Sequence, residues 1–129
     1  MDIKNTIMHQ LRELHVLSQT EFVVLYGSVR QKKNTPLSDI DVCISLKSSP
    51  SERLKTRMKL LGKLPSKYDL QIFEDLPLYL KKSILSGDFL YCRDKKKTFQ
   101  RAMDVIRNYD DFAPIYSYYI TRDKSKVQL

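Results

Sequence analysis

The sequence predicts one α/β domain in which short strands alternate with amphipathic helices. Two observations carry this. The apolar runs Phe22–Tyr26 and Asp39–Ser45 are short, rich in β-branched and aromatic residues, and separated by a polar, basic stretch, the composition of buried strands on either side of a turn. A third such run, Tyr68–Glu74, follows after a segment of helical length, which is the crossover a β-α-β unit needs.

From Ile3 to Leu17 the apolar residues Ile7, Leu11 and Leu14 recur at helical spacing, giving a first helix that packs on the coming sheet. His9 and His15 fall on it about 240° apart, on different faces, so they cannot share a metal and read as surface or cap residues. Phe22–Tyr26 is a strand that Gly27 ends. Along Asp39–Ser45 the side chains alternate: Asp39, Asp41, Cys43 and Ser45 share one face, and Ile40, Val42 and Ile44 the other. Ser48-Ser49-Pro50-Ser51 makes a turn and a helix start, with Leu54, Met58 and Leu61 expected inward and Gly62 and Pro65 ending the helix.

In the third strand Asp69, Gln71 and Phe73 oppose Leu70, Ile72 and Glu74. Pro77 starts a helix on which Leu80 and Ile84 repeat and which Gly87 stops. Asp88–Cys92 reads as either a short edge strand or a turn. Lys95–Thr121 is mostly helical, with Phe99, Met103 and Ile106 as one stripe and a break or kink at Pro114. The aromatics of Ile115–Ile120 either cap the core or face a partner, and the polar tail from Arg122 is expected to fray.

A length of 129 residues fits a single domain, here 1–129, and 42% hydrophobic with 29% charged residues is ordinary for a soluble chain. No apolar run reaches the ~18 residues of a membrane span, and the N-terminus lacks the apolar region of a signal peptide, so a cytoplasmic protein without membrane contact is expected. Cys43 and Cys92 have no paired spacing, which supports neither a disulfide framework nor a zinc site; both are expected as buried, reduced thiols. A net charge of +8 favours nucleotides, nucleic acid or an acidic protein surface without choosing among them.

The chemistry concentrates between Phe22 and Leu46. Gly27 lets the backbone approach a bulky ligand, and Ser28 offers a hydroxyl and a free N–H to phosphate oxygens. Asp39 and Asp41 stand on one face of a strand with Cβ atoms roughly 6 to 7 Å apart, close enough to repel when both are ionised. A divalent cation relieves that repulsion, and hard oxygen donors suit Mg²⁺ with substrate phosphates completing its shell. An Asp-x-Asp alone at a strand start is common and more often structural or solvated; Gly-Ser, ten residues, then Asp-x-Asp between two strands is the more informative pattern. Asp69, a charged residue opening an apolar strand, is either a strand-end residue or a third acid.

This passage, F-V-V-L-Y-G-S followed by D-I-D-V-C-I, resembles the signature of the nucleotidyltransferase superfamily that includes DNA polymerase β. With the looser likeness of the text down to Ile120, the chain resembles the minimal nucleotidyltransferases that serve as antitoxins to HEPN-domain toxins. The resemblance implies a nucleotidyltransferase fold, a small mixed β-sheet with helices packed against it. It implies Asp39, Asp41 and Asp69 as a catalytic carboxylate triad holding two Mg²⁺ ions, with Gly27, Ser28 and Arg30 at the nucleotide. Glu74 and Asp75 are rival third acids of lower rank. Where many members follow Gly-Ser with x-Ala-Arg-Gly, this chain has Val29-Arg30-Gln31-Lys32, so its arginine stands one place early.

For function, the resemblance implies transfer of AMP from ATP to a tyrosine of a HEPN toxin, a ribonuclease that the transfer silences. Two other readings compete: a nucleotide-binding antitoxin that neutralises its partner by contact alone, and a nucleotidyltransferase acting on a small molecule or RNA. The last ranks lower, because the chain leaves little room for a domain that grips such an acceptor, and nucleic acid is not expected as a direct substrate.

Overall fold

A computed structural model of the chain describes residues 2–27 and 39–122, with the backbone alone from 111 onward. The elements run α1 (Ile3–Glu13), β1 (Thr20–Tyr26), β2 (Ile40–Leu46), α2 (Pro50–Lys63), β3 (Tyr68–Ile72), α3 (Leu78–Ile84), β4 (Asp88–Cys92) and α4 (Lys95–Arg122). Single 3-10 turns at Leu17–Gln19 and Phe73–Asp75 lead into β1 and out of β3. The sheet has the order β3-β2-β1-β4. β1 pairs antiparallel with β2 and β4, while β2 and β3 are parallel and joined through α2. The expected mixed sheet and β-α-β crossover are therefore present.

Both faces of the sheet are covered, and the alternation of β2 sorts its side chains between two cores. Val42 and Ile44 join Val23, Leu70 and Ile72 against Ile7 and Leu11 of α1 and Leu60 of α2. Cys43 goes to the opposite core with Phe22, Val24, Phe73, Ile84 and Val105, under α3 and α4. Phe22 packs edge-on against Phe73 with ring centroids 5.0 Å apart, a geometry that adds about 0.5–1.5 kcal/mol to area burial. Cys43 is buried, whereas Cys92, expected buried, is half-exposed on the edge strand.

Helix α1 is capped by Asp2, whose carboxylate accepts from the Asn5 N–H, and it stops four residues before the expected Leu17. The cause is His15, whose φ of +58° lies in the left-handed region used to close helices. His9 and His15 are both exposed, as expected. Helix α2 starts at Pro50 behind a Ser49 cap but passes through Gly62 to Lys63. Its inward face is only partly the expected one: Leu61 packs against the core, but Leu54 and Met58 do not. Thr56 and Leu60 are buried, while Leu54 and Met58 are each 59% exposed. Arg53 and Arg57 flank the true inward stripe, their heads donating to the carbonyls of Ser48 and Leu70.

Gly87 ends the α3 segment as expected. A Cβ there would stand 2.7 Å from both the Leu25 carbonyl oxygen and Val24 Cγ1, so only glycine lets the chain pass this close to β1. Asp88–Cys92 is an edge strand rather than a turn. Helix α4 runs without interruption past Pro114. Its sheet-facing residues are Thr98 and Val105, and Phe99, expected in the stripe, is 66% exposed.

Candidate active site

The register of the sheet brings together residues that are far apart in sequence. Asp41 is paired with Tyr26 across β1 and with Asp69 across β3. Alternation then puts all three side chains on the α3/α4 face, abreast on three neighbouring strands about 4.8 Å apart. Asp39, exposed, precedes β2 by one residue. Burial first, then the charges of Asp69 and Asp39, raise the Asp41 pKa above the ordinary carboxylate range. The three acids are thus close enough to feel one another, and the two expected partners of Asp41 are the residues that act on it.

Gly27 closes the corner behind this row. Its φ is +81°, and a Cβ there would fall 2.1 Å from Asp41 Oδ2. The sequence suggested a glycine making room for a ligand; within the described residues it makes room for the carboxylate of Asp41. Ser28 and Arg30, expected at the nucleotide, lie outside the described residues, as do Val29, Gln31 and Lys32.

Tyr26 is a member of the row that sequence reasoning did not single out. Burial, then Cys43, Asp41 and Asp69, hold its hydroxyl protonated well above the usual phenol range. Its position beside Gly27 was visible, but its pairing with Asp41 depends on a hairpin register that no local pattern encodes.

Glu74 and Asp75, the rival third acids, are committed elsewhere. Glu74 accepts from Ser45 Oγ and, at 3.0 Å, from the Leu46 N–H, and pairs with Arg101 at 2.7 Å. Asp75 pairs with Arg53 at 2.7 Å. The Glu74 contacts lie at the other end of β2, where Ser45 stands four residues and about 13 Å from Asp41.

Among the described residues no three Asp, Glu, His or Cys side chains are drawn tightly enough together to hold a metal ion as they stand. The donor set itself fits a hard divalent cation. It offers three carboxylates, half-buried or exposed, at the ends of two adjacent strands, with the mutual repulsion at Asp41 that such an ion relieves.

Comparison with known proteins bears on the fold and the family. A candidate protein adenylyltransferase of Methanocaldococcus jannaschii is 41% identical over 71 residues, which are 55% of this chain and 54% of that protein, so the match spans about half the relative's length. Among solved structures, a chain of a toxin–antitoxin structure with AMP-PNP superposes with a TM-score of 0.75 at 21% identity, covering 94% of this chain and 98% of that one. A chain from a tri-AMPylated Shewanella oneidensis HEPN toxin in complex with an MNT antitoxin gives 0.68 at 20% identity, covering 92% and 93%. At such identities the likeness is one of fold. Residues 5–96, well over half of the sequence, match the polymerase beta, nucleotidyltransferase family. The chain belongs to that family.

Proposed function

We infer that the protein is a Mg²⁺-dependent adenylyltransferase that moves AMP from ATP onto a tyrosine hydroxyl of a HEPN-domain partner. The observation that carries this reading is the register pair Asp41 and Asp69, with Asp39 beside them and Gly27 behind. A relative described as a candidate protein adenylyltransferase supports the protein acceptor, and a fold shared with structures containing AMP-PNP and an AMPylated HEPN toxin supports the nucleotide and the partner.

In the reaction, the acceptor oxygen forms a bond to the α-phosphorus of ATP while the bond from that phosphorus to the α,β-bridging oxygen breaks, releasing pyrophosphate. Asp39, Asp41 and Asp69 would hold two Mg²⁺ ions, which when bound would supply charge neutralisation at the phosphates and would lower the pKa of the attacking hydroxyl. Asp69, on the outer strand of the pair, would receive the proton that the hydroxyl gives up. Gly27 leaves the space that the Asp41 carboxylate occupies at the end of its strand. Ser28 and Arg30 would take the β- and γ-phosphates.

The test is incubation of the purified chain with ATP, Mg²⁺ and a HEPN protein encoded beside it. The expected result is an AMP mass increment on a partner tyrosine and release of pyrophosphate, both lost with Asp39→Ala or Asp41→Ala. A partner whose mass is unchanged, yet whose ribonuclease is silenced equally by wild type and both variants, overturns the enzymatic reading in favour of neutralisation by contact.

A further inference from the structure

A cleft of about 370 Å³ opens at the end of the sheet opposite the acidic row, between the C-terminal end of β2, the start of β1 and the first turns of α2 and α4. Its walls carry four cations, Lys47, Arg53, Lys97 and Arg101. Arg53 is held by Asp75 and the Ser48 carbonyl, and Arg101 by Glu74 and Ser45. The Lys47 and Lys97 side chains are exposed and make no ion pair among the described residues. Ser48 Oγ is buried at the cleft and, among the described residues, finds no hydrogen-bond partner.

The two acids that also line the cleft do not reverse this balance. Glu74 is neutralised by Arg101 and has both oxygens engaged, which leaves Glu21 against two uncommitted ammonium groups. A buried hydroxyl left without a partner is destabilising unless a ligand or water meets it. Donors therefore outnumber free acceptors, and the complementary ligand is an anion with several oxygens. A water occupies about 30 Å³ of liquid, so the cleft has room for a tetrahedral oxyanion with part of its hydration.

We propose that this cleft binds a phosphoryl group through Lys47, Lys97 and Ser48, with the guanidinium of Arg101 behind them. It is a site separate from the acidic row, since Ser45 and Asp41 stand four residues, about 13 Å, apart on β2. The phosphoryl group has two sources, free phosphate or the terminal phosphate of a nucleic acid strand.

The experiment titrates the full chain, without divalent cation, with inorganic phosphate and separately with a 5′-phosphorylated dinucleotide, following backbone amide resonances. Expected are shifts centred on Lys47, Ser48, Lys97 and Thr98. These weaken about tenfold in Lys47→Ala/Lys97→Ala, two charge-assisted contacts being lost, and persist in Asp41→Asn. Ser48→Ala, a small change that leaves both lysines in place, is expected to weaken binding to a lesser degree. Tighter binding of the dinucleotide assigns the site to a nucleic acid end, and equal binding assigns it to the free anion. Absence of shifts, shifts unchanged in the double lysine variant, or shifts centred on Gly27 and Asp41 overturn the proposal.

Discussion

Gly27 and Asp41 are fitted to each other: the glycine's φ of +81° turns its vacant Cβ position toward Asp41 Oδ2, where a methyl group would stand 2.1 Å from the oxygen. Two independent penalties thus guard one position. Left-handed backbone costs a residue with a Cβ about 1–2 kcal/mol, and the overlap has to be relieved by moving a carboxylate that belongs to the acidic row.

Gly27→Ala is accordingly expected to lower stability by at least about 1–2 kcal/mol and to reduce AMP transfer by more than the loss of folded protein explains. Thermal melting with turnover measured well below the melting point separates the two effects. Wild-type turnover in a folded Gly27→Ala protein would show that the position of the Asp41 carboxylate does not matter.

Asp41 carries a stability cost that substitution relieves. Because burial, Asp69 and Asp39 raise its pKa, the folded chain binds the Asp41 proton more tightly than the unfolded chain does. The stability from that proton is complete below the unfolded value, about 3.9, and is lost as the pH rises through the higher folded value. At pH values above the unfolded one the Asp41 carboxyl therefore opposes folding. Asp41→Asn should melt higher than wild type at pH 7, with the gap closing as the pH falls toward 4, while transfer activity is abolished. Mg²⁺ should raise the melting temperature of wild type and not of Asp41→Asn, since a ligand of the native state stabilises only where its site exists. A pH-independent gap, or an equal Mg²⁺ response in both proteins, would contradict the reading of the row as a cation site.

At the other end of β2, Arg101 bridges Ser45 and Glu74, and its guanidinium lies 5.1 Å from the Phe73 ring centroid. The Glu74 side chain is only 15% exposed, so removing Arg101 strands a carboxylate that water reaches poorly. Arg101→Ala is expected to cost about 1–3 kcal/mol, at the lower end because the arginine itself is partly exposed. Arg101→Met/Glu74→Gln should recover part of that loss. Chemical denaturation of Arg101→Met, Glu74→Gln and the double variant that combines them supplies the coupling energy, and additive effects would mean the bridge contributes nothing.

How far the sequence reveals this molecule depends on the range of the interaction. The strands, the β-α-β crossover and the Gly27, Asp39, Asp41 pattern are local and legible, because periodicity and turn residues declare them. From the residues alone Asp69 reads as either a strand-end residue or a third acid, the family resemblance favours the acid, and its pairing with Asp41 is a register fact. Glu74 looked like a rival acid because its partner, Arg101, lies on another helix. The inward faces of α2 and α4 were misread for a related reason. Arginine stems pack against the sheet beneath charged heads, so Arg53, Arg57 and Arg101 read as solvated when they flank the buried stripe.

Helix α2 makes that misreading testable. Spacing alone favours Leu54, Met58 and Leu61 as the core stripe, whereas the structure buries Thr56 and Leu60 and leaves Leu54 and Met58 each 59% exposed. Exposed side chains change stability by about 0.5 kcal/mol or less when replaced by polar ones, while truncating a fully buried leucine costs about 2–5 kcal/mol. Leu54→Gln and Met58→Gln should therefore leave the denaturation midpoint near that of wild type and improve solubility, and Leu60→Ala should lower it sharply. The reverse order would put Leu54 and Met58 against the sheet, rotate α2 by about 100° or more and move Arg57 away from the Leu70 carbonyl it now caps.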